Sequence, residues 1–461
     1  MIRKNEEYIG TVEGLGSDGE GIIKIEGAAV FVPFCLTGEE VKFKILKAKG
    51  NIAYGKLIEV LKPSPERVKP RCPVFGKCGG CDLQHASYSA QLEFKRGIVK
   101  NCLLKIGGIS AEVNPVEPCE KQYGYRNKIS LPIGEEGAGL YARHSHRIVP
   151  AESCAIQKDW ATEVISAVNG FVKESKDKKH LRHLVVREVQ GKFIFALVAA
   201  KEVDAKPLIK RLDKCFEEFT FLININDGET NVIFGKSWRV LRGSGFFKAE
   251  EFGITYTAGA NTFLQVNDGV RTKLYAKVLE EAGGDVAIDL YSGGGLLTAM
   301  LAKKCKKAYG IEIVEEASHC ADELKKENGL DGKMINICGK VEDEIEKVIA
   351  ATRGENRVIV CDPPRKGMER SAVRAIINSG AEKVILISCN PATLARDLGL
   401  LTGTLTETGG ELVKSGTNGV YEIVSITPYD MFPQTKHVET LVVLSQKPSS
   451  YSPDPKNGRG D

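Results

Sequence analysis

Short apolar runs alternate with amphipathic stretches along residues 284–447. The runs at residues 286–291 and 383–387 predict strands covered on both faces, as in a parallel sheet. The stretches at 296–304 and 392–401, which follow those two runs, have helical spacing. Strict alternation of strand and helix predicts an α/β domain of the Rossmann-like type.

The pattern at residues 8–60 differs, because short apolar runs are separated only by turn residues. The runs lie at 8–12, 21–25, 29–33 and 41–46. About five strands in a segment of this length predict an all-β, OB-like barrel, a fold that often binds single-stranded nucleic acid. Lys42 and Lys44 alternate with apolar residues on one predicted strand, which fits either a phosphate-binding face or an ordinary solvated face.

The middle of the chain mixes both patterns and predicts an α+β domain over residues 70–255. A helix is expected from Ser87 to Gly107, and strands are expected at 123–131 and 139–147. Both strands combine aromatic and basic residues, so Arg126, Lys128 and Arg143 are candidates for RNA contact, although an ordinary hairpin would have the same pattern. The predicted domains are 1–62, 70–255 and 256–447, followed by a disordered tail at 448–461.

Composition narrows the class of protein only slightly. The chain has 461 residues, 42% hydrophobic content and a net charge of +4, so any case for nucleic-acid binding depends on local patches. The amino terminus has no apolar segment of the signal-peptide type, and no apolar run is long enough to cross a membrane. Thirteen cysteines, an odd number, favour a cytoplasmic protein that uses cysteine for metal binding or catalysis.

A compact cysteine cluster lies at the start of the middle domain. Cys72, Cys78 and Cys81 fall within ten residues, and two glycines next to Cys81 permit the chain to wrap tightly. Thiolate ligands suit zinc or an iron–sulfur cluster, and either needs a fourth ligand. The candidates for the fourth ligand are Cys102, Cys119 and Cys154. The alternative is a set of unrelated buried thiols.

A second group of polar residues follows the strands of the α/β domain. Asp289, Glu312, Asp362 and Cys389 each stand at the carboxyl end of a predicted strand, where one crevice can collect them. The turn at residues 292–295 is rich in glycine but lacks the dinucleotide spacing, which favours S-adenosylmethionine, with the acid Glu312 on its ribose hydroxyls. The helix that follows Cys389 favours a thiolate.

Taken together, the motifs resemble those of RNA uracil-5-methyltransferases that carry an amino-terminal TRAM domain and a 4Fe-4S cluster. The motifs are Cys72…Cys78-Gly79-Gly80-Cys81, Phe263-Leu264-Gln265-Val266-Asn267, Asp289-Leu290-Tyr291-Ser292-Gly293, Asp362-Pro363-Pro364-Arg365, Ser388-Cys389-Asn390-Pro391 and His437-Val438-Glu439-Thr440. The resemblance extends from Tyr8 to about Lys447 and implies three parts: a TRAM barrel, a central α+β domain with an iron–sulfur loop, and a class I methyltransferase domain. One departure is Leu296, where many members of the family have a polar residue.

The resemblance also implies residue roles. Cys389 would be the nucleophile, Glu439 the general base, and Phe263 would stack on the flipped uracil. The implied contacts of S-adenosylmethionine or the target base are Gln265, Tyr291, Glu312 and Asp362. The implied cluster ligands are Cys72, Cys78, Cys81 and Cys154, with a structural and RNA-positioning role for the cluster.

The expected substrate is RNA, with 23S ribosomal RNA preferred and transfer RNA open, and the expected state is a monomer. A DNA or protein methyltransferase on the same sheet is an alternative, but it gives no reason for the barrel. A non-catalytic RNA-binding protein is a second alternative, which would not need Cys389 or Glu439.

Overall fold

In the computed structural model, residues 2–228, 230–416 and 419–448 are described, and the chain divides into two units. The first unit comprises Met1–Ile98, Pro115–Tyr275 and Pro428–Glu439. The second comprises Val99–Asn114, Ala276–Thr427 and the described residues from Thr440 onward. The predicted disorder of the tail concerns residues that, apart from position 448, lie outside the described ones.

The amino-terminal part of the first unit is a six-stranded sheet in the order β1-β5-β6-β4-β3-β2. Its strands are β1 (Glu7–Thr11), β2 (Gly14–Leu15), β3 (Gly21–Ile25), β4 (Ala28–Val32), β5 (Glu40–Lys49) and β6 (Ile52–Lys62). All four predicted runs are strands. Val41, Phe43 and Ile45 on β5 are buried in the core of this sheet, while Lys42 and Lys44 between them are partly exposed. Three register shifts between β5 and β6 bend the pair.

The rest of the first unit is built on a seven-stranded sheet in the order β13-β12-β11-β10-β7-β8-β9 and a two-stranded ribbon, β14-β15. The core of this sheet is formed with helices α2 and α3. Between residues 88 and 281 the elements in chain order are α1 (Tyr88–Cys102, divided between the two units), a π-helical turn (Leu103–Gly107, part of the second unit), β7 (Lys128–Gly134), β8 (Gly137–Tyr141), β9 (Ile148–Pro150), α2 (Trp160–Glu174), a 3₁₀ turn (Lys178–His180), β10 (Leu181–Val189), β11 (Lys192–Ala199), α3 (Lys206–Leu212), β12 (Phe219–Ile225), β13 (Ser237–Arg242), β14 (Phe246–Glu251), β15 (Ile254–Gly259) and α4 (Asp268–Glu281, divided between the two units).

The two strands predicted at 123–131 and 139–147 are wrong in extent. The first begins only at Lys128, because Gly124 has a φ of 62° and Arg126 makes single bridges to Gln157 and Asn267 instead of joining a ladder. The second ends at Tyr141, and a turn in which His144 has a φ of 51° leads to a separate strand, β9. Arg126 and Arg143 therefore lie outside regular strands.

The second unit contains the predicted α/β alternation. Its sheet has the order β18-β17-β16-β19-β20-β24-β23. The first five strands in this order are parallel to one another, and β24 runs antiparallel to β20. The elements are β16 (Val286–Leu290), α5 (Leu296–Lys304), β17 (Lys307–Glu312), α6 (Glu315–Glu327), β18 (Met334–Cys338), α7 (Val341–Ala351), β19 (Arg357–Cys361), α8 (Arg370–Asn378), β20 (Lys383–Ser388), α9 (Pro391–Thr402), β21 (Leu405–Thr408), β22 (Glu411–Lys414), β23 (Tyr421–Tyr429) and β24 (Glu439–Gln446).

The order of this sheet places a topological switch point between β16 and β19. The chain moves outward from β16 to β17 and β18 on one side, then returns to β19 and β20 on the other. A crevice opens at the carboxyl ends of strands where the direction of winding reverses, and ligands of open α/β sheets bind there. Among the described residues, no helix has the length and apolar character that a membrane crossing requires.

Candidate active site

The glycine turn after β16 has a tightly constrained backbone. Tyr291, Gly293 and Gly295 have φ angles of 66°, 54° and 79°. A Cβ on Gly295 would lie 2.7 Å from Ala321 Cβ and 2.8 Å from Met334 Cε, so this position requires glycine. A Cβ on Gly294 would meet no atom of the described residues within 4 Å. The turn thus keeps open space at Gly294, beside the switch point.

Glu312, the last residue of β17, fixes this turn. Its Oε2 accepts a hydrogen bond from the backbone N–H of Gly293 at 2.9 Å, and its Oε1 accepts one from Val314 at 2.7 Å. Ser292 N also donates to the backbone carbonyl of Ile311 at 3.0 Å. The carboxylate therefore ties together the ends of β16 and β17, which is where the sequence places the acid of a nucleoside site.

Two buried carboxyl groups lie at the switch point. Burial, with the Asp362 and Glu312 carboxyls nearby, raises the pKa of Asp289 to about 7, although Thr298 Oγ1 donates to Asp289 Oδ2 at 2.6 Å. Burial also raises the pKa of Asp362 to about 7. Neighbouring buried carboxyls resist being ionised together, so a bound cation would favour their charged forms.

Tyr291 completes this part of the site. Its hydroxyl is buried and has no hydrogen-bond partner among the described residues, and burial raises the pKa of the phenol. A buried polar atom without a partner costs free energy, and a positive φ on a residue with a side chain adds strain. Both features are typical of a position that is selected for ligand binding.

Cys389 stands between β20 and α9, as the sequence predicts. Its side chain is half-buried. Asn390 caps α9, because its Oδ1 accepts from Ala392 N at 3.1 Å, and Asn390 Nδ2 donates to the Arg365 carbonyl at 2.9 Å. The thiol is therefore held at the amino end of a helix, and the backbone of the segment after Asp362 is tied to the same loop.

The final strand contains the second predicted catalytic residue. Glu439 is the first residue of β24, and only 2% of its surface is exposed. Within the second unit, the antiparallel register pairs Thr440 of β24 with Ser388 of β20.

The loop that carries Phe263 and Gln265 belongs to the first unit and is organised by buried side chains. The Gln265 carbonyl accepts from Asn127 Nδ2 at 3.3 Å and from Arg271 Nη1 at 3.4 Å. Gln265 itself is 7% exposed, whereas Phe263 is 77% exposed, the most exposed large apolar side chain among the described residues. The loop thus presents one aromatic ring to solvent from a fixed backbone.

The four predicted ligand cysteines meet at one cavity. Cys72, Cys78, Cys81 and Cys154 line a space of about 240 Å³. Burial raises the pKa of Cys78, Cys81 and Cys154, and the neighbouring thiols raise it further. Of the three candidates for the fourth ligand, only Cys154 is there, since Cys119 lines a different cavity and accepts a hydrogen bond from Asn267 Nδ2 at 3.2 Å.

The four thiols that line this cavity are of the residue type that ligates an iron–sulfur cluster. Among the described residues, no three His, Cys, Asp or Glu side chains are grouped as ligands of a metal ion. A four-iron cluster is larger than an ion and holds its four thiolates apart around the core, which agrees with four thiols arranged around a cavity. Its positive core would also offset the unfavourable burial of the thiolates.

The three basic residues expected to contact RNA are in different surroundings. Arg126 and Lys128 line the cysteine cavity, and burial, with the charges of Arg187 and Arg126, lowers the pKa of Lys128 to about 8. Arg143 Nη2 lies 3.4 Å from Asp82 Oδ1 and its guanidinium lies over the Phe34 ring. The sequence pattern gives no signal for Arg187, a fully buried side chain of β10, because this strand also contains Arg182, His183 and Glu188 and so has the composition of a half-exposed strand.

The sheet order, the glycine turn and the acid at the end of β17 define a class I S-adenosylmethionine-dependent methyltransferase. Comparison with known proteins narrows the class. The profile of the tRNA (uracil-5-)-methyltransferase family matches residues 87–447, and that of the TRAM domain matches residues 6–58. The chain belongs to this family of RNA uracil-5-methyltransferases, and S-adenosylmethionine is its methyl donor.

Relatives agree with this assignment. An uncharacterized RNA methyltransferase of Clostridium tetani is 39% identical over 96% of this chain and 97% of its own. One from Halalkalibacterium halodurans is 37% identical over 97% and 98% of the two chains. The crystal structure of Pyrococcus abyssi tRNA (uracil-54, C5)-methyltransferase in complex with S-adenosyl-L-homocysteine matches with a TM-score of 0.75 and 27% identity, covering 95% of this chain and 99% of that one.

Proposed function

We propose that the protein methylates C5 of a uridine in RNA through a covalent adduct between Cys389 Sγ and C6 of the base. The observation that carries the proposal is the position of Cys389. The thiol is half-buried rather than sealed, and it follows the carboxyl end of β20, two strands from the glycine turn of the methyl-donor site. A cysteine that served only to pack the core would be expected inside the sheet rather than at the edge where ligands bind.

The first step activates the base. C5 of uracil is a poor nucleophile, so the Cys389 thiolate adds to C6 and forms the Sγ–C6 bond. The electron pair of the C5–C6 double bond moves to form an enolate, whose carbon C5 then attacks the sulfonium methyl group. The C5–CH₃ bond forms as the sulfonium S–CH₃ bond breaks. The amino end of α9, where Cys389 lies, favours the thiolate that starts this sequence.

The second step restores the ring. Glu439 takes the proton from C5, and the electron pair left behind re-forms the double bond as the C6–Sγ bond breaks. The thiolate of Cys389 is thereby regenerated. Glu439 suits this role because it is almost fully shielded from solvent, so that bulk water does not compete for its carboxylate.

The proposed contacts with the methyl donor lie at and around the glycine turn after β16. Tyr291, Glu312 and Asp362 are proposed to bind S-adenosylmethionine, together with Gln265. The buried pair Asp289 and Asp362 supports this assignment, because the positive sulfonium would stabilise carboxylates that burial disfavours. The unpartnered hydroxyl of Tyr291 gains a hydrogen-bond partner in the same arrangement.

The RNA contacts are proposed for the first unit. The target base must leave its stack, which costs a few kcal/mol in a duplex and less in a loop. The exposed ring of Phe263 is suited to stack on a displaced base, Arg143 to a phosphate, and the TRAM domain to the flanking strand. A monomer would suffice, since all proposed residues belong to one chain.

The four cavity cysteines are proposed to hold a 4Fe-4S cluster. When bound, the cluster would supply a rigid cross-link between the loop at Cys72–Cys81 and the segment at Cys154. It would thus fix the part of the first unit that is proposed to hold RNA, without taking part in methyl transfer.

Ribosomal RNA of the large subunit is the proposed substrate, on the basis of the combined TRAM domain and cysteine set. A transfer RNA is the second candidate, favoured by the Pyrococcus abyssi enzyme, which acts on tRNA uracil-54 by its name. Incubation with labelled methyl donor and either 23S ribosomal RNA or transfer RNA, followed by mapping of the labelled nucleotide, separates the two.

The mechanism is tested with two variants. Cys389→Ala should abolish methyl transfer, and retained transfer would refute the nucleophile. Glu439→Gln should transfer the methyl group once and then accumulate a denaturation-resistant protein–RNA adduct that contains the label. Cys338→Ala, at an exposed cysteine at the end of β18, is the matched control and should keep normal turnover.

The cluster is tested separately. Anaerobically purified protein should be brown and contain iron and sulfide. Cys154→Ser should lose both, whereas Cys215→Ser, at an exposed cysteine outside the cavity, should keep them. Stoichiometric zinc without iron would exclude the cluster.

A further inference from the structure

Three cations crowd together behind the cysteine cavity. Arg126 and Lys128 line the cavity itself. Lys128 of β7 lies directly opposite Arg187 of β10 in the antiparallel register, so both side chains project from the same face. Like charges in directly opposed positions repel each other, and Arg187 and Arg126 both act electrostatically on Lys128.

Among the described residues, none of these three cations has a carboxylate within ion-pair distance, and the Asp268 carboxylate acts on Arg187 only at longer range. Arg187 is 1% exposed, and of its guanidinium only Nη2 is bonded, to the Thr262 carbonyl at 2.7 Å. Arg187 Nε and Nη1 and Arg126 Nε are buried without hydrogen-bond partners. Arg187 is buried and Arg126 and Lys128 are partly exposed, and charges in such surroundings are stabilised by a nearby anion.

We infer that Arg126, Lys128 and Arg187 form a cationic cradle that balances the negative charge of the cysteine-ligated cluster and sets its reduction potential. The inference rests on the cluster proposed above. Four thiolates outweigh the charge of the core, so the liganded cluster is an anion in the one cavity that Arg126 and Lys128 line. Net charge near a cluster is one of the main determinants of its potential.

The cradle explains why Arg126 and Lys128 face inward. The alternative is that they bind RNA phosphate, which would place them on a surface reached by the strand. Removing a cation of the cradle should make the additional electron of the reduced cluster less stable. The midpoint potential should therefore become more negative, and air should bleach the cluster faster.

The test uses full-length protein purified without oxygen. Iron, sulfide and the midpoint potential are measured for wild type, Lys128→Met, Arg126→Met and the charge-preserving Lys128→Arg. Lys173→Met, at an exposed lysine of α2 away from the cavity, controls for the change of net charge. For Lys128→Met we expect the ratio of reduced to oxidised cluster at a fixed potential to fall about tenfold, equivalent to about 59 mV for one electron.

The outcomes separate the two proposals. Lys128→Arg and Lys173→Met should keep the wild-type potential, and loss of iron in Lys128→Met with retention in Lys128→Arg would also support a role of charge. Wild-type potential and bleaching rate in both Met variants would overturn the cradle, and so would loss of iron in Lys128→Arg. A weaker salt dependence of RNA binding with an unchanged potential would assign the residues to RNA instead. An iron-free wild type would remove the cluster itself, and the cradle with it.

Discussion

Lys95 Nζ and Asp430 Oδ1 form an ion pair at 2.5 Å in which both side chains are fully buried. Lys95 Nζ also donates to the Phe432 carbonyl at 3.0 Å. Nearby, Gln91 and Gln434 bond to each other twice, at 3.0 and 3.1 Å. Helix α1 thus fastens the segment that leads to Glu439, the proposed general base.

Breaking this pair should destabilise the first unit strongly. Lys95→Met leaves the Asp430 carboxylate buried without its partner, which we expect to cost about 3–5 kcal/mol of the free energy of unfolding. The double variant Lys95→Met/Asp430→Met removes both charges and should recover much of that loss. Urea denaturation followed by the fluorescence of Trp160 and Trp238, both in this unit, measures the changes.

A surface pair provides the control. Lys24 Nζ and Glu13 Oε2, in the same unit, lie 2.9 Å apart, but the two side chains are 69% and 49% exposed, so Lys24→Met should change stability by less than about 1 kcal/mol. If Lys95→Met were equally mild, the buried pair would not be what holds the segment.

The parts of this molecule that could be predicted from sequence are those with a local signal. Helix α5 and the glycine turn before it, and the position of Cys389 between β20 and α9, follow from periodicity and turn residues within one short window. The convergence of strand ends follows from the rule for parallel sheets. The four runs of the amino-terminal sheet were equally local.

The parts that could not be predicted depend on residues distant in the chain. Lys95 and Asp430 are 335 positions apart, and the sequence around each residue does not indicate which residue it pairs with. Spacing alone left Cys154 as one of three candidates, and only the family resemblance selected it; its position at the cavity with the other three cysteines depends on the fold. Arg126 interrupts the predicted strand because its backbone bridges two separate segments, around Gln157 and Asn267.

The glycine turn predicts two opposite phenotypes from neighbouring residues. Gly295→Ala forces a side chain into a positive φ and against Ala321 and Met334, so we expect a loss of about 2–4 kcal/mol of stability. Gly294→Ala should leave stability nearly unchanged, because the added methyl group meets no described atom.

The same methyl group at Gly294 would project into the open space beside the switch point. Gly294→Ala should therefore weaken binding of S-adenosylhomocysteine, by about tenfold or more, as measured by titration calorimetry. Unaltered binding in this variant would mean that the donor lies elsewhere in the crevice.

Asp289 predicts a pH dependence of stability. Its pKa is raised to about 7 from 3.8, so between these pH values the folded protein retains a proton that the unfolded chain has released. Stability therefore falls as pH rises through this window and levels off above pH 7, by on the order of 1 kcal/mol per unit at most. Asp362, whose pKa is also raised to about 7, contributes a slope of the same sign. Asp289→Asn should therefore reduce the slope between pH 5 and 7 without abolishing it, measured by urea denaturation and circular dichroism.

Asp285 is the matched control for this prediction. It precedes the same strand, but its hydrogen bond from Lys306 lowers the pKa of the carboxyl, so it stays ionised throughout the window. Asp285→Asn should leave the slope unchanged. An equal slope in wild type and Asp289→Asn would show that the buried carboxyl is ionised in the folded state.

Phe263 predicts a loss of catalysis without a loss of stability. Because its ring is 77% exposed, Phe263→Ala removes almost no packing and should leave the free energy of unfolding within about 0.5 kcal/mol of wild type. Stacking on a base contributes about 1–3 kcal/mol, so kcat/KM for methyl transfer should fall by about 5- to 150-fold.

Phe263→Trp should preserve most of the activity, since it retains an aromatic face. Phe246→Ala, at another exposed aromatic residue of the same unit, should have little effect on either quantity. The measurement is methyl transfer to RNA at subsaturating substrate. Unchanged kcat/KM in Phe263→Ala would place the target base away from this ring.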